Sequence, residues 1–216
     1  DIWLLSKLQK LILKITEKNQ SCKFHEGAKA IDDFIINNLS QIYIPITRGE
    51  LWDEAEEKRN RRLSIYAVLE EVLKTLDILI HPFCPFTSEH LYQAVFDGKQ
   101  SILLDKWPQS QESLVNEEIE ESFDIMKDVV SISSAARMKG KLKRRWPLNE
   151  AQICVKKGQK DKLESLSELL QSQLNVEKFS ITETEKESGL EQILELKKLG
   201  LPVKPVVELE RKRIGP

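Results

Sequence analysis

SIYAVLEEVLKTLDILIHPFCPFTSEHLYQAVF, residues 64–96, is the stretch on which the fold class turns. Starting at Leu63, the residues Tyr66, Leu69, Leu73, Leu76 and Ile80 recur at three-and-four spacing, which predicts one apolar stripe along a long helix. The turn His81-Pro82-Phe83-Cys84-Pro85-Phe86 follows. Its two prolines lack amides and fix φ, so the helix must stop there. Thr87 is a suitable N-cap for a short next helix carrying Leu91, Tyr92 and Val95. A helix that turns back at a pinned corner and still buries its stripe describes an antiparallel helical bundle.

Outward from this hairpin, the same period recurs on both sides. Asp1 can cap a first helix with Leu4, Leu5, Leu8, Leu11, Ile12 and Ile15 inward, ending near Asn19. Phe24, Ala28, Ile31, Ile35, Leu39, Ile42 and Tyr43 carry a second, which Pro45 should kink or stop. A charged segment, residues 53–62, leads into the hairpin. Beyond it, residues 102–104 read as a short extended run before Trp107-Pro108. Tyr66 and Trp107 are expected in the core. A fifth helix is expected over residues 116–139, with Ile119, Phe123, Met126, Val130 and Ser133 inward, acids at its start and cations at its end, both favourable to the helix dipole.

The pattern changes near Pro147. Residues 151–155 and 176–181 read as strands, 160–170 and 190–199 as helices, and 203–209 as a last strand. The expected fold class is therefore α+β: a helical bundle over residues 1–147, then a small α/β module over 148–216. Eight glycines and eight prolines in 216 residues favour helices over a turn-rich β architecture.

Charge singles out one segment. RMKGKLKRRWPL, residues 137–148, holds six cations and no acid in a chain whose formal net charge is −2. A local all-basic run with an aromatic residue in it suits an anionic partner with unpaired bases, namely RNA. Cations also collect at helix C-termini to oppose the dipole. That reading accounts for Arg137 and Lys139 more easily than for Lys143, Arg144 and Arg145, beyond the C-cap Gly140. Trp146, beside Pro147, has two readings, a stacking platform or an indole packed at the module boundary.

Other chemistry is poorly supported. The three cysteines, at 22, 84 and 154, are widely scattered and read as reduced thiols of a cytoplasmic protein. His81, Cys84 and His90 do not form a metal-ligand set, and no CxxC occurs. There is no G-x-x-x-x-G-K-[ST], no G-x-G-x-x-G and no H-E-x-x-H. Paired acids such as Asp32-Asp33 and Glu70-Glu71 sit on expected helices as solvated faces. No apolar run is long enough to span a bilayer. The chain opens on Asp1 rather than Met, as expected of a piece of a longer polypeptide.

Residues 64–96 followed by SILLDKWP, residues 101–108, resemble the anticodon-binding region of the class I aminoacyl-tRNA synthetases for aliphatic amino acids. A long helix ending in P-F-x-P-F-x-x-E, an S-x-x-L-x-x-W-P loop, and a helix closing in R-x-x-x-x-x-K-x-R-x-P-L (Arg137, Lys143, Arg145, Pro147, Leu148) are most similar to isoleucyl-tRNA synthetases. The opening D-x-W-x-L-S-x-L (Asp1, Trp3, Leu5, Ser6, Leu8) resembles the stretch after the family's catalytic domain. VKPVVELERKRIGP, residues 203–216, resembles its C-terminal junction module. The chain departs from the family at Ile42-Tyr43 and Pro45-Ile46, where members carry a Trp-Tyr pair and several arginines; Arg48 and Trp52 are retained. The Met138-Lys139-Gly140-Lys141 string is not the family's K-M-S-K-S loop.

The resemblance implies a division of labour. An absent Rossmann-type domain of the same chain would activate isoleucine with ATP and magnesium, while these residues hold the anticodon stem and loop of the isoleucine tRNA. No catalytic residue and no metal are expected here. The expected protein is a cytoplasmic monomer with no membrane partner. Arg137, Lys139, Lys141, Lys143, Arg144 and Arg145 are the expected backbone contacts, with Trp146 as a stacking platform and Arg48 and Trp52 as a second patch. Two alternatives stay open. One is the same region of a valyl-, leucyl- or methionyl-tRNA synthetase. The other is a non-enzymatic module that docks a protein partner through the small residues Ser131, Ser133, Ser134, Ala135 and Ala136.

Overall fold

The computed structural model describes residues 1–96, 100–156 and 158–184. They form a helical bundle and a small α/β module, divided into two compact units, Asp1–Glu117 and Glu118–Pro216. The expected helix over 190–199 and strand over 203–209 lie outside the described residues.

The first unit is built on α1 (Ile2–Gln20), α2 (Phe24–Asp33), α3 (Ile44–Leu51), α4 (Arg59–Ile80) and α5 (Pro85–Val95). Trp3, Leu4, Leu8, Leu11, Ile12 and Ile15 of α1 are buried, the stripe that spacing requires. On the same helix the polar residues Ser6 and Gln9 are buried too and Thr16 is half-buried, and each has work to do. Ser6 Oγ accepts the Asn116 amide (2.9 Å), Gln9 Oε1 the Gln111 amide (2.9 Å) and Thr16 Oγ1 the Trp107 indole N–H (2.9 Å). They fasten a long connection along α1 that has few backbone bonds of its own.

Several expectations are corrected. Asp1 flanks α1 without a side-chain capping bond. Its carboxylate instead accepts the Tyr43 hydroxyl (2.6 Å) and pairs with Arg61. Burial pushes the Tyr43 phenol up to about 12. Pro45 does not stop the helix. Between α2 and α3 the backbone widens to π-helical turns over Phe34–Tyr43 and passes directly into α3, with Pro45 its second residue; a widened turn before the proline is a way for a helix to continue past its ring and missing amide. The next helix, α5, starts at Pro85, two residues before Thr87, in a first turn where a missing amide costs no intrahelical bond. Ile102–Leu104 is a single 3-10 turn, not a strand. Ser101 Oγ accepts the Leu103 amide (3.2 Å), and Glu89 accepts the Ser101 hydroxyl (2.9 Å) and the Ile102 amide (3.2 Å), so local side chains supply what a partner strand would have.

The buried face of α4 is also rotated from the expected one. Ile65, Val72, Leu76 and Leu79 are buried, while Leu63, Tyr66 and Leu73 are 54%, 53% and 44% exposed. This helix has apolar residues on several sides, so its sequence fits more than one stripe.

In the second unit, α6 (Glu117–Lys139) leads to β1 (Leu148–Lys156), α7 (Lys160–Glu164), α8 (Ser167–Leu174) and β2 (Val176–Thr184). The two strands pair in parallel, Leu148 opposite Val176 and Ile153 opposite Ile181, as a helical crossover permits. Alternate residues Ala151, Ile153 and Val155 of β1 are buried, as are Leu163, Leu170 and Leu174 of the crossover. The single helix expected over 160–170 is two, because the Ser165 hydroxyl donates to the Lys162 carbonyl (2.7 Å) and competes with helical pairing there. No described helix is long and apolar enough to cross a membrane.

Candidate nucleic-acid interface

The basic segment begins where α6 ends. The Leu142 amide donates to the Arg137 carbonyl (2.9 Å) and the Lys141 amide to the Met138 carbonyl (3.2 Å). These are the two bonds of a Schellman motif, with Lys141 in the left-handed position at φ 55°. A glycine would be the unstrained choice at that position, yet Gly140 stands one residue earlier. The chain next forms a β-turn in which the Trp146 amide donates to the Lys143 carbonyl (3.0 Å), placing Arg144 and Arg145 at its two central positions.

Of the six cations, the structure separates one from the rest. Arg137 is only 5% exposed. Its guanidinium donates to the carbonyls of Trp146 (2.8 Å), Leu174 (2.8 Å), Asn175 (3.1 Å) and Lys143 (3.4 Å). Burial, and then the nearby Arg144 charge, lower its pKa, but a guanidinium remains protonated across any physiological range. Arg137 is thus spent holding the loop's backbone.

Asn175 helps it, a residue that the sequence reading missed. Sitting at φ 52° after α8, it donates its side-chain amide to the Arg144 carbonyl (3.1 Å). An asparagine between an apolar helix and a strand is the available signal, because its short side chain tolerates the left-handed region.

With the carbonyls of Lys143, Arg144 and Trp146 turned toward these two residues, Lys139, Lys141, Lys143, Arg144 and Arg145 are all exposed. Trp146 is half-buried, and Lys143 Nζ lies 5.7 Å from its ring centroid. The arrangement is a positive, outward-facing turn on a braced backbone, fit for phosphate oxygens.

A second patch lies on the first unit. Arg48, near the end of α3, places its guanidinium carbon 5.6 Å from the centroid of Trp52, which is 76% exposed. The loop after Trp52 is held at several points. Asp53 accepts the Ala55 amide (3.1 Å) and the Lys58 ammonium (2.5 Å), which lower its pKa. Arg62 donates to the carbonyls of Asp53 and Ala55. Leu51, Trp52, Glu54 and Tyr66 line an open recess of about 380 Å³ there. Among the described residues no group of His, Cys, Asp or Glu is placed to hold a metal ion.

Comparison with known proteins bears on the family of the chain. The domain family described as "Anticodon-binding domain of tRNA ligase" matches residues 1–153. An isoleucine–tRNA ligase of Sulfolobus acidocaldarius is 35% identical over 81% of this chain and 17% of its own length. Those of Pyrococcus furiosus and Methanosarcina mazei are each 31% identical, over 87% and 100% of this chain and 18% and 21% of theirs. The chain spans about a fifth of the length of the relatives it matches. On its sequence, its helical bundle and these matches, the chain belongs to the anticodon-binding domain family of tRNA ligases.

Proposed function

We propose that these residues bind the anticodon stem and loop of a tRNA, and that the tRNA is the isoleucine acceptor of an isoleucyl-type ligase. The observation that carries the reading is the loop after α6, where five exposed cations sit on a backbone fixed by Arg137 and Asn175. The isoleucine identity is supported by the relatives, which are isoleucine–tRNA ligases. In this reading residues 1–147 serve as the anticodon-binding bundle and 148–216 as a junction module, within a cytoplasmic, monomeric enzyme. Lys139, Lys141, Lys143, Arg144 and Arg145 contact phosphates, Trp146 packs beside them, and Arg137 acts through the loop.

ATP and magnesium would serve the catalytic part of such an enzyme. The residues here do not fit them: the sequence has no glycine-rich phosphate loop, the Glu54 carboxylate in the recess at Trp52 would repel phosphates, and among the described residues no group of carboxylates is placed to hold a metal ion.

The test is the salt dependence of tRNA binding. Each neutralised phosphate contributes roughly 0.7 to 0.9 to the slope of log K against log salt. Reversing Arg144 and Arg145 to glutamate should flatten that slope by about one to two units. A slope that does not change removes the turn from the interface. A protein-docking role would instead show association insensitive to salt.

A further inference from the structure

We propose that Trp52, Tyr66 and Glu54 form a seat for one unpaired nucleobase, the two rings supplying stacking faces and the carboxylate reading an amino-bearing edge, with guanine the preferred base. The inference rests on the tRNA-binding reading and assigns to the first unit a role the basic turn cannot perform, since phosphate contacts carry no sequence information.

Three observations meet at this recess. The first is exposure: Trp52 is 76% exposed and Tyr66 53%. Burying such rings in water-excluded contact is favourable, and flat open recesses accept a flat ring rather than a chain. Tyr66 was expected in the core, and the rotation of α4 is what brings it to the surface. The second is fixation. Arg48 covers one face of the indole at 5.6 Å, and Asp53 and Arg62 pin the loop that carries Glu54. A pre-ordered seat loses less entropy on binding than a mobile one. The third is polarity. Glu54 is the acidic lining residue beside two aromatics and Leu51. A carboxylate accepts hydrogen bonds and repels phosphate, so its place in an RNA site is against a base edge that donates. Guanine offers N1–H and the N2 amine side by side, a match for both carboxylate oxygens. Cytosine and adenine offer an exocyclic amine, and uracil flanks its one N–H with carbonyls. Trp146 is less suited to this work, being half-buried with Lys143 over its ring.

The experiment uses the full chain and a set of RNA hairpins that share one stem and differ at one loop nucleotide: guanosine, inosine, adenosine, cytidine or uridine. Trp52→Ala and Tyr66→Ala should each weaken binding by about 5- to 150-fold, with the salt slope unchanged because stacking releases no counterions. Neither change should lower the melting temperature, since both side chains are exposed. The wild type should prefer guanosine, inosine should bind less well for want of the N2 amine, and Glu54→Gln should reduce the preference to about 2-fold or less, because an amide presents one acceptor and one donor where the carboxylate presents two acceptors. Unchanged affinity in Trp52→Ala and Tyr66→Ala, with binding still lost on reversal of Arg144 and Arg145, overturns the seat and leaves the tRNA reading standing. A guanosine preference that survives Glu54→Gln overturns the role of the carboxylate. No binding of any hairpin or of tRNA by the wild type overturns both readings.

Discussion

At the scale of single residues, six cations of one neighbourhood, three arginines and three lysines, have two fates. Arg137 lies in the last turn of a helix, where its position reaches back under the loop, so its two terminal nitrogens donate to the carbonyls of Trp146 and Leu174, and also to those of Lys143 and Asn175, which accept the Trp146 and Leu148 amides as well. Removing it takes the guanidinium bonds from the Trp146 and Leu174 carbonyls, and a buried group left unsatisfied costs about 1 to 3 kcal/mol. Arg137→Ala should therefore destabilise the second unit by about 3 kcal/mol in urea titration, whereas Arg145→Ala, on an exposed side chain, should stay within about 0.5 kcal/mol. Equal effects of the two would contradict the bracing role. Lys141 is the opposite case, a residue placed at a conformational cost. At φ 55° a side chain with a Cβ costs roughly 1 kcal/mol relative to glycine. Lys141→Gly should raise the unfolding free energy by about that amount while lowering tRNA affinity and trimming the salt slope by roughly 0.7 to 0.9. Stabilisation with unaltered binding would show that its ammonium touches no phosphate.

Among the elements, α4 shows how a helix with apolar residues all round is resolved by what packs on it. Its interior also holds Asp77, which is 6% exposed, with one carboxylate oxygen lacking a hydrogen-bond partner. Burial pushes its pKa up from 3.8 to about 6, against the partial relief of the nearby His81 charge. A carboxyl whose folded pKa is raised binds its proton more tightly when folded. Folding stability therefore increases as pH falls from about 6 toward 4 on this group's account, and the penalty is complete above 6. Asp77→Asn should stabilise the protein at pH 7.5 by about 2 kcal/mol, a gain that shrinks toward zero by pH 4. A gain that persists unchanged at acid pH would assign the effect to packing instead. Local chemistry explains the other departures among the elements: Pro85 lies in a first turn, where no amide is needed, Pro45 follows π-helical turns, and Ser101 and Ser165 offer their side chains to the backbone.

For the whole molecule, a formal net charge of −2 with one all-basic turn means that the proposed attraction to RNA would be local rather than global. No nucleotide-binding motif accompanies it, so this chain by itself is expected to show no isoleucine-dependent ATP–pyrophosphate exchange. Exchange above background in a pure preparation would require a nucleotide site that the sequence does not display. Of the stripe expected on α5 only Tyr92 is buried, with Leu91 and Val95 45% and 62% exposed, and of that expected on α6 only Met126, alongside Glu120, Ser122 and Arg137. The sequence alone determined the class of structure and its order: the apolar stripe of α1, the presence of α5 and α6, the proline corner, the alternation of β1, and the basic run with its aromatic neighbour. These are local signals, set by side-chain spacing and backbone chemistry within a few residues. Only the tertiary structure decided which face of α4 is buried, that Tyr66 lines a surface recess with Trp52 and Glu54, and that Arg137 is an internal brace while Arg144 and Arg145 reach solvent. Each depends on a partner distant in sequence, Leu174 and Asn175 for Arg137 and the loop after α3 for Tyr66, and burial is a property of what packs against a residue rather than of the residue itself.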